Sequence, residues 1–458
     1  MIGTVAIRWV WPLLTGLLLS GCVLAPGEAR QQRQELQSSG GPYQQPAERR
    51  PLPPLPQPAS WQAVLQRAFL ANGDLEAAYF DWSAAVARID QAAAWPNTNV
   101  ALGFDYMFSR ENMKAWDRTT LSAGFDPAMS LSLPVKARQA GKVALEAARA
   151  AAHRFEAAKF DLQRRVLRAY FDLALAEERT RIQRDNVALL RLLLDTAANR
   201  VQAGGPQQDL LKVQIEHQLA GNELATLEAE ANSMRAMLNG MLARDAQSPL
   251  TLPATLPAPR SAPASDAQLI AVATDLNPEL AALAREVAGR RDALELARLA
   301  YLPDISPSAG ITGSISRALG AMVMLPTNLP AIRGQIQEAR AMLRSAEAMA
   351  RQARHDRAAS FVAALYLMRN SERQAHLFRQ HILPAAQQVL NTTRQAYTAG
   401  SVGFVDLIDS QRTLLDVRLM IAEARIEREK QLAELEALAG VDIETLAAQP
   451  TTAPLAKE

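Results

Sequence analysis

Laid against itself at an offset of 196 residues, this 458-residue sequence repeats. Leu133-Pro134 falls on Leu329-Pro330, Tyr170 on Tyr366, and Ala203-Gly204 on Ala399-Gly400, all without a gap. One residue is inserted past the glycine, after which DLLKVQ (209–214) falls on DLIDSQ (406–411). Upstream, LANGDLEAA (70–78) resembles DLNPELAAL (275–283), and Trp95-Pro96 answers Leu302-Pro303. Landmarks kept in one order over so long a stretch mark a tandem duplication, so any fold that suits one half must suit the other. Proline-rich stretches, PLPPLPQPAS before the first half and SPLTLPATLPAPRSAPAS (248–265) between the two, read as a tether and a linker. The expected division is therefore 22–60 tether, 61–242 first repeat, 243–264 linker, 265–442 second repeat and 443–458 tail.

Each half reads as helix, two strands, very long helix, tight break, helix. The Ala-rich stretch 61–94 has helical patterning and stops at Trp95-Pro96, because proline disfavours helix at the residue before it. The period then changes from 3.6 to 2. Strands are expected at 99–110, 119–133, 304–316 and 319–329. In the first, Val100, Leu102, Phe104, Tyr106 and Phe108 oppose Asn99, Gly103, Asp105 and Ser109. In the third, Ile305, Ile311 and Ile315 oppose Ser306, Ser308, Thr312 and Ser314. Pro127, Pro307 and Pro326 are awkward for sheet interiors. Alternation of this length suits a tilted strand crossing a bilayer, which takes about 9–11 residues, and equally a half-buried soluble sheet. A two-hairpin sheet with no soluble domain beside it favours the membrane. Four strands cannot close a barrel, and open edges cannot face lipid. The strands would therefore be pooled between chains, three copies giving twelve.

The helices expected over 136–202 and 331–398 hold roughly 65 residues each, or about 100 Å at ~1.5 Å per residue. Such helices must pack side by side. Their apolar positions are interleaved with many alanines, which lets a helix sit close to two neighbours, as in the wall of a helical barrel. Each ends in a short glycine-containing break that reads as a helical hairpin turn: Gly204, Gly205 and Pro206 in the first half, Gly400 and Gly403 in the second. The glycines supply backbone freedom. Asp406 and Asp409 follow at i, i+3 on the returning helix, where the helix dipole favours acids.

The first 21 residues read as a secretory signal, to be left out of the fold. They end in Leu19-Ser20-Gly21-Cys22, which resembles a bacterial lipobox. Cys22 is the only cysteine in the chain and stands where lipidation needs it, so no disulfide is expected. Acyl chains add about 0.8 kcal/mol of membrane affinity per buried CH₂. Val23, rather than Asp, follows the cysteine, which by the same resemblance favours the outer membrane. No later uncharged run reaches the ~18 residues of a transmembrane helix.

NPEL (277–280), the Leu-Pro pairs and above all AYTAGSVGFVDLIDSQRTLL (396–415) resemble the TolC-like family of outer-membrane efflux proteins, over residues 61–442. The resemblance implies a mainly α fold with a small membrane β part. Three protomers would form a twelve-stranded β-barrel continued by an α-helical tunnel through the periplasm. It implies an exit duct working with a periplasmic adaptor and an inner-membrane transporter, most naturally of the resistance-nodulation-division type. By the same resemblance Gly204, Gly205, Gly400, Val402, Gly403 and Phe404 would contact the adaptor. Asp406 and Asp409 would line the entrance, where a ring of carboxylates favours cations. The chain departs from the pattern in its first tip, GGPQQDLLK, which lacks Val-Gly-Phe and sets Lys212 opposite Asp409. No arginine stands at Val402.

Other classes fare worse. A net charge of +2 from 49 basic and 47 acidic residues, without a basic block, argues against nucleic acid. His153, His217, His355, His376 and His381 make no zinc-ligand spacing, and there is no phosphate loop or nucleophile constellation. Neither catalysis nor a cofactor, apart from the lipid at Cys22, is expected. The rival that remains is a non-channel coiled-coil lipoprotein, an adaptor or a spacer, against which the duplicated strand pairs discriminate.

Overall fold

The computed structural model describes residues 22–97, 99–108, 113–125, 131–202, 204–262, 265–272 and 275–446. The chain divides into two compact units. One holds 1–41, 78–155 and 279–353; the other holds 42–77, 156–278 and 354–458. Among the described residues the helices are α1 (Ala29–Ser39), α2 (Trp61–Ala71), α3 (Gly73–Ala93), α4 (Pro134–Gln202), α5 (Gln207–Met241), α6 (Asp266–Val272), α7 (Pro278–Arg298), α8 (Leu329–Leu377), α9 (Leu383–Thr398), α10 (Phe404–Ala439) and α11 (Ile443–Leu446). The strands are β1 (Cys22–Val23), β2 (Ala94–Trp95), β3 (Val100–Tyr106), β4 (Thr119–Phe125), β5 (Asp304–Thr312) and β6 (Ser316–Met324).

In the first unit, each repeat contributes one hairpin to a single antiparallel sheet of order β3-β4-β5-β6. The two hairpins meet along β4 and β5, where Leu121 lies opposite Ile311. The strands are shorter than the alternation suggested. The third ends at Thr312, so Ile315 lies in the turn and not on the strand. Asp117 forms that turn: its carboxylate accepts from the Ser314 backbone N–H at 2.8 Å and also from the Ser314 hydroxyl. Pro307 stands within β5 opposite Ala321, while Pro127 and residues 126–130 lie outside the described residues. Lys136 at the start of α4 donates to Asp304 at 2.7 Å and to the Leu302 carbonyl at 2.9 Å. The start of one repeat's long helix is thereby tied to the other repeat's first strand. Below the sheet, Trp82 stacks on Phe155 with ring centroids 5.7 Å apart, and Tyr79 meets Phe155 edge-on at 5.9 Å.

The segment 22–60, expected to be a tether, is largely docked. Its helix α1 buries Ala29 and Gln32, Arg33 pairs with Asp90, and the Tyr79 hydroxyl donates to the Leu36 carbonyl at 3.4 Å. In the second unit, the Ala59 carbonyl accepts from Tyr170 at 3.1 Å. That buried phenol is pushed up to about 12, burial being the main cause and Glu177 adding to it. Low-complexity composition describes the core a segment cannot make alone, not the one it can join.

In the second unit the long helix expected over 331–398 is broken. α8 ends at Leu377, a π-helical turn runs Phe378–Ile382, and α9 takes over. The cause is local: Pro384 has no N–H to return to Gln380, and the one-residue slip of a π turn re-pairs the neighbouring carbonyls. α4, without an internal proline, runs unbroken for 69 residues. The linker, described over 243–262, is a packed strap with Leu250 and Leu252 buried. Its prolines cannot donate, and helix arginines satisfy its carbonyls instead. Arg235 donates to Leu250 at 3.0 Å, Arg181 to Ala254 at 3.3 Å and Arg425 to Pro257 at 3.0 Å. The tail also begins inside: Ile443 is fully buried with Phe361, Leu365, Leu432 and Leu435.

Candidate functional site

Both helical hairpins turn by the same device. At the first tip the Gly204 N–H donates to the Val201 carbonyl at 3.0 Å and Gly205 to Arg200 at 2.8 Å. At the second, Gly400 donates to Tyr397 at 3.1 Å and Ser401 to Ala396 at 3.0 Å. This is a Schellman ending in each repeat, and it needs a left-handed residue after the helix. Gly204 at φ +92° and Gly400 at φ +76° supply it. Gly205 is needed for a different reason, since a Cβ there would sit 2.9 Å from the Arg200 carbonyl oxygen. Gly403 does not use the freedom expected of it. Its φ of −79° suits any residue, and it serves as the N-cap of α10.

Asp406 has a structural occupation. Its Oδ2 accepts from the Gly403 N–H at 3.0 Å, the reciprocal half of a capping box. Asp409, also exposed, has no side-chain hydrogen bond or ion pair among the described residues; its carbonyl accepts from Thr413. A shallow groove of about 290 Å³ runs between α5 and α10 here, with Lys212, Glu216, Asp409 and Arg412 on its rim and Ile215, Phe404 and Ile408 among its apolar lining. Phe404, expected at the tip surface, is turned inward. It is 3% exposed, and its ring meets Tyr397 edge-on at 6.1 Å. Val402 is half-buried against the same cluster, whereas Val405 is exposed. The tip therefore offers Val402 and backbone, with Phe404 as their support.

Several residues that bind the two hairpins together went unnoticed in the sequence. The Arg200 guanidinium lies over the Tyr397 ring at 4.5 Å. Gln411 donates to Asn186 at 2.6 Å, and Arg412 pairs with Glu216 at 2.6 Å. A usable signal did exist. By the 196-residue offset Arg200 stands where the second repeat has Ala396, and Tyr397 where the first has Val201. Gln411, by contrast, stands on Gln214 and keeps the repeat while joining the hairpins.

The sheet forms the second part of the site. Its register puts Val100, Leu102 and Phe104 of β3, Leu121 and Ala123 of β4, Ala309 and Ile311 of β5, and Leu319, Ala321 and Val323 of β6 on one face, with Arg317 beside Ile311 at its turn end. Gly103, Ser122, Ser308, Gly310, Ala318 and Gly320 share the other. Leu102, Phe104 and Leu319 are 81%, 68% and 92% exposed, an apolar face without cover in one chain. β3 and β6 each keep one edge unpaired among the described residues. Aromatic residues flank the strands, Phe108 and Trp116 beyond one end and Tyr301 and Trp95 beyond the other, as at both borders of a membrane barrel. Among the described residues no helix is long and apolar enough to cross a membrane. The backbone of Cys22 pairs opposite Trp95, at the helical end of the sheet. Among the described residues no group of three or more His, Cys, Asp or Glu side chains is placed to hold a metal.

An apolar-outside, small-inside sheet joined to duplicated helical hairpins defines a membrane pore-forming architecture. The family model for outer membrane efflux proteins matches residues 64–244 and 269–441, one stretch per repeat, and the chain belongs to that family. It is thus an outer-membrane efflux channel rather than an adaptor or a spacer. It is 23% identical over 369 residues to the cobalt-zinc-cadmium resistance protein CzcC of Cupriavidus metallidurans, covering 79% of this chain and 85% of that one. It is 24% identical over 402 residues to the pyoverdine export outer membrane protein OpmQ of Pseudomonas aeruginosa, covering 80% and 82%. The fold is similar to the open state of the MtrE outer membrane channel of Neisseria gonorrhoeae, with a TM-score of 0.69 at 18% identity, over 84% of this chain and 89% of that one.

Proposed function

We propose that three copies of this chain pool their sheets into a twelve-stranded outer-membrane barrel, anchored by lipid at Cys22, and act as the passive exit duct of a tripartite efflux system. The observation that carries this reading is the sheet: four strands, two unpaired edges and an apolar face without cover. Edges left open in lipid are untenable, and barrels start at about eight strands. The hairpin tips, through Gly204, Gly205, Gly400, Val402 and Gly403 with Phe404 beneath, would receive a periplasmic adaptor coupled to an inner-membrane transporter of the resistance-nodulation-division type. Asp409, and Asp406 where its cap leaves an oxygen free, would face the entrance. The relatives are named for different roles, cobalt-zinc-cadmium resistance in one and pyoverdine export in the other.

The test is the protein mass of the complex extracted from outer membranes in mild detergent, corrected for bound detergent. A trimer is expected, and a stable monomer would sink the pooled barrel. Cys22→Ser should abolish incorporation of labelled palmitate, and retained label would place the anchor elsewhere.

A further inference from the structure

One charged side chain of the linker is buried about as deeply as the linker's leucines, Leu250 and Leu252. Arg260 is 4% exposed, and its partners Glu429 and Glu436 on α10 are 4% and 0% exposed. The guanidinium reaches Glu429 Oε2 at 3.1 Å through Nε and Glu436 Oε2 at 2.9 Å through Nη1. The Arg260 backbone N–H donates to Glu429 Oε1 at 3.2 Å. The plane also sits 5.5 Å from the Trp61 ring, at the start of the first repeat. Around it, Gln163 of α4 donates to Glu436 at 3.3 Å and to Asp442 at 3.1 Å. Arg428 bridges Glu429 to Glu372 of α8, the latter at 3.1 Å. One linker residue is thus joined, directly or through one intermediary, to helices of both repeats.

Apolar packing would have been the cheaper way to attach a strap, since buried charges must recover their lost hydration. What this arrangement adds is register. Glu429 and Glu436 are two turns apart on one helix face. A planar fork can satisfy both carboxylates at a single axial and rotational setting of α10. Sliding or turning the helix would strand a buried charge. The entrance end of α10 has no comparable device, and it begins at Phe404, about 40 Å away along the helix at ~1.5 Å per residue. Its ties are an apolar cluster around Phe404, Leu407 and Ile408, the partly exposed Arg412–Glu216 pair, the Gln411–Asn186 amide bond and the Phe404–Tyr397 ring contact.

We propose that the inter-repeat strap is a clasp with Arg260 as its pin, holding the Glu429–Ala439 end of α10 stationary so that opening is confined to the entrance end. This rests on the channel reading above. Arg260 is a positioning residue, since it acts through α10 and touches no cargo. The test is single-channel conductance of the purified full-length protein in planar bilayers, with melting measured on the same samples. Arg260→Gln is expected to raise conductance at least threefold and to broaden its distribution. Arg260→Lys keeps the charge without the fork and should fall between the two. Combined with Arg412→Ala at the entrance end, the change in conductance should depart from the product of the single effects, because pivot and tie act on one helix. Arg260→Gln pores that melt earlier yet conduct as the parent does would overturn the clasp and leave a stabilising ion cluster. Where Arg260→Gln fails to assemble, Arg260→Lys and Glu429→Gln decide by the same criterion. A parent protein that forms no pores would overturn the channel reading, and the clasp with it. Pores indifferent to Arg260 would overturn the clasp alone.

Discussion

The two ends of α10 lie on one unbroken helix and are held in opposite ways. Near Ala439, Leu432 and Leu435 are fully buried, and Glu436 is pinned by a linker arginine. The Gly440 cap leaves no room for a side chain against Pro278, 2.2 Å from where a Cβ would stand. Near Phe404 the helix packs into an apolar cluster with Leu190, Leu193, Val213 and Tyr397, and its ion pair there, Arg412–Glu216, is partly exposed. Conformational change is drawn from regions of low local stability. The comparison sets a buried ion cluster at one end against apolar and partly exposed contacts at the other, within one continuous helix.

That contrast can be broken at several points. The largest effect is expected from Leu435→Ala, which should cost about 2–5 kcal/mol and lower the melting temperature in detergent. Leu414→Ala, at the edge of a small satellite cluster, should cost clearly less. Equal losses would abolish the distinction between the ends. Next, Gly400→Ala forces a side chain into left-handed backbone, at about 1–2 kcal/mol. Gly204→Ala should match it, because the duplicated turns share one geometry, whereas Gly403→Ala should cost about 0.5 kcal/mol as a poorer N-cap.

The two aspartates separate at the next level down. Asp406→Ala should lose about 1 kcal/mol through its cap. Asp409→Ala should leave melting unchanged within about 0.5 kcal/mol and weaken block of the pore by multivalent cations. If only Asp406→Ala altered the block, their roles would be reversed. The mildest perturbation is pH. Burial, the largest influence, raises the Glu436 carboxyl above its ordinary value against the pull of Arg260. A raised folded value means that the folded protein holds this proton more tightly than the unfolded chain does. The contribution is therefore complete below the ordinary carboxylate value and is lost as pH rises through the raised one. Melting temperature should fall over that interval, and Glu436→Gln should flatten the fall. An unchanged slope in Glu436→Gln would assign it to another group.

Much of this was legible in advance because it depends on local spacing. A period of two marked the strands, and the offset of 196 residues revealed the duplication. Gly204 and Gly400 marked the turns, since left-handed backbone after a helix has few other occupants. The segments misread were those whose structure is supplied by neighbours. Residues 22–60 and 243–264 have the composition of tether and linker, yet the first docks through Arg33 and Tyr79 and the second through four arginines, three on helices and one its own. Phe404 was expected at the surface from its motif position, and it turned inward because a ring beside Tyr397 is worth more buried. Asp406 was expected to line an entrance with Asp409; that it also caps its own helix needs the Gly403 N–H in place.

By itself the sequence determined the duplicated hairpins and the two-faced sheet, since periodicity follows from backbone geometry alone. Only the tertiary structure decided that Arg260 meets Glu429 and Glu436, that Arg200 covers Tyr397, and that the linker is a strap. The physical reason is range: turns and strands are set by residues a few positions apart. A buried charge, by contrast, is tolerable only beside partners that folding brings from 169 and 176 residues away.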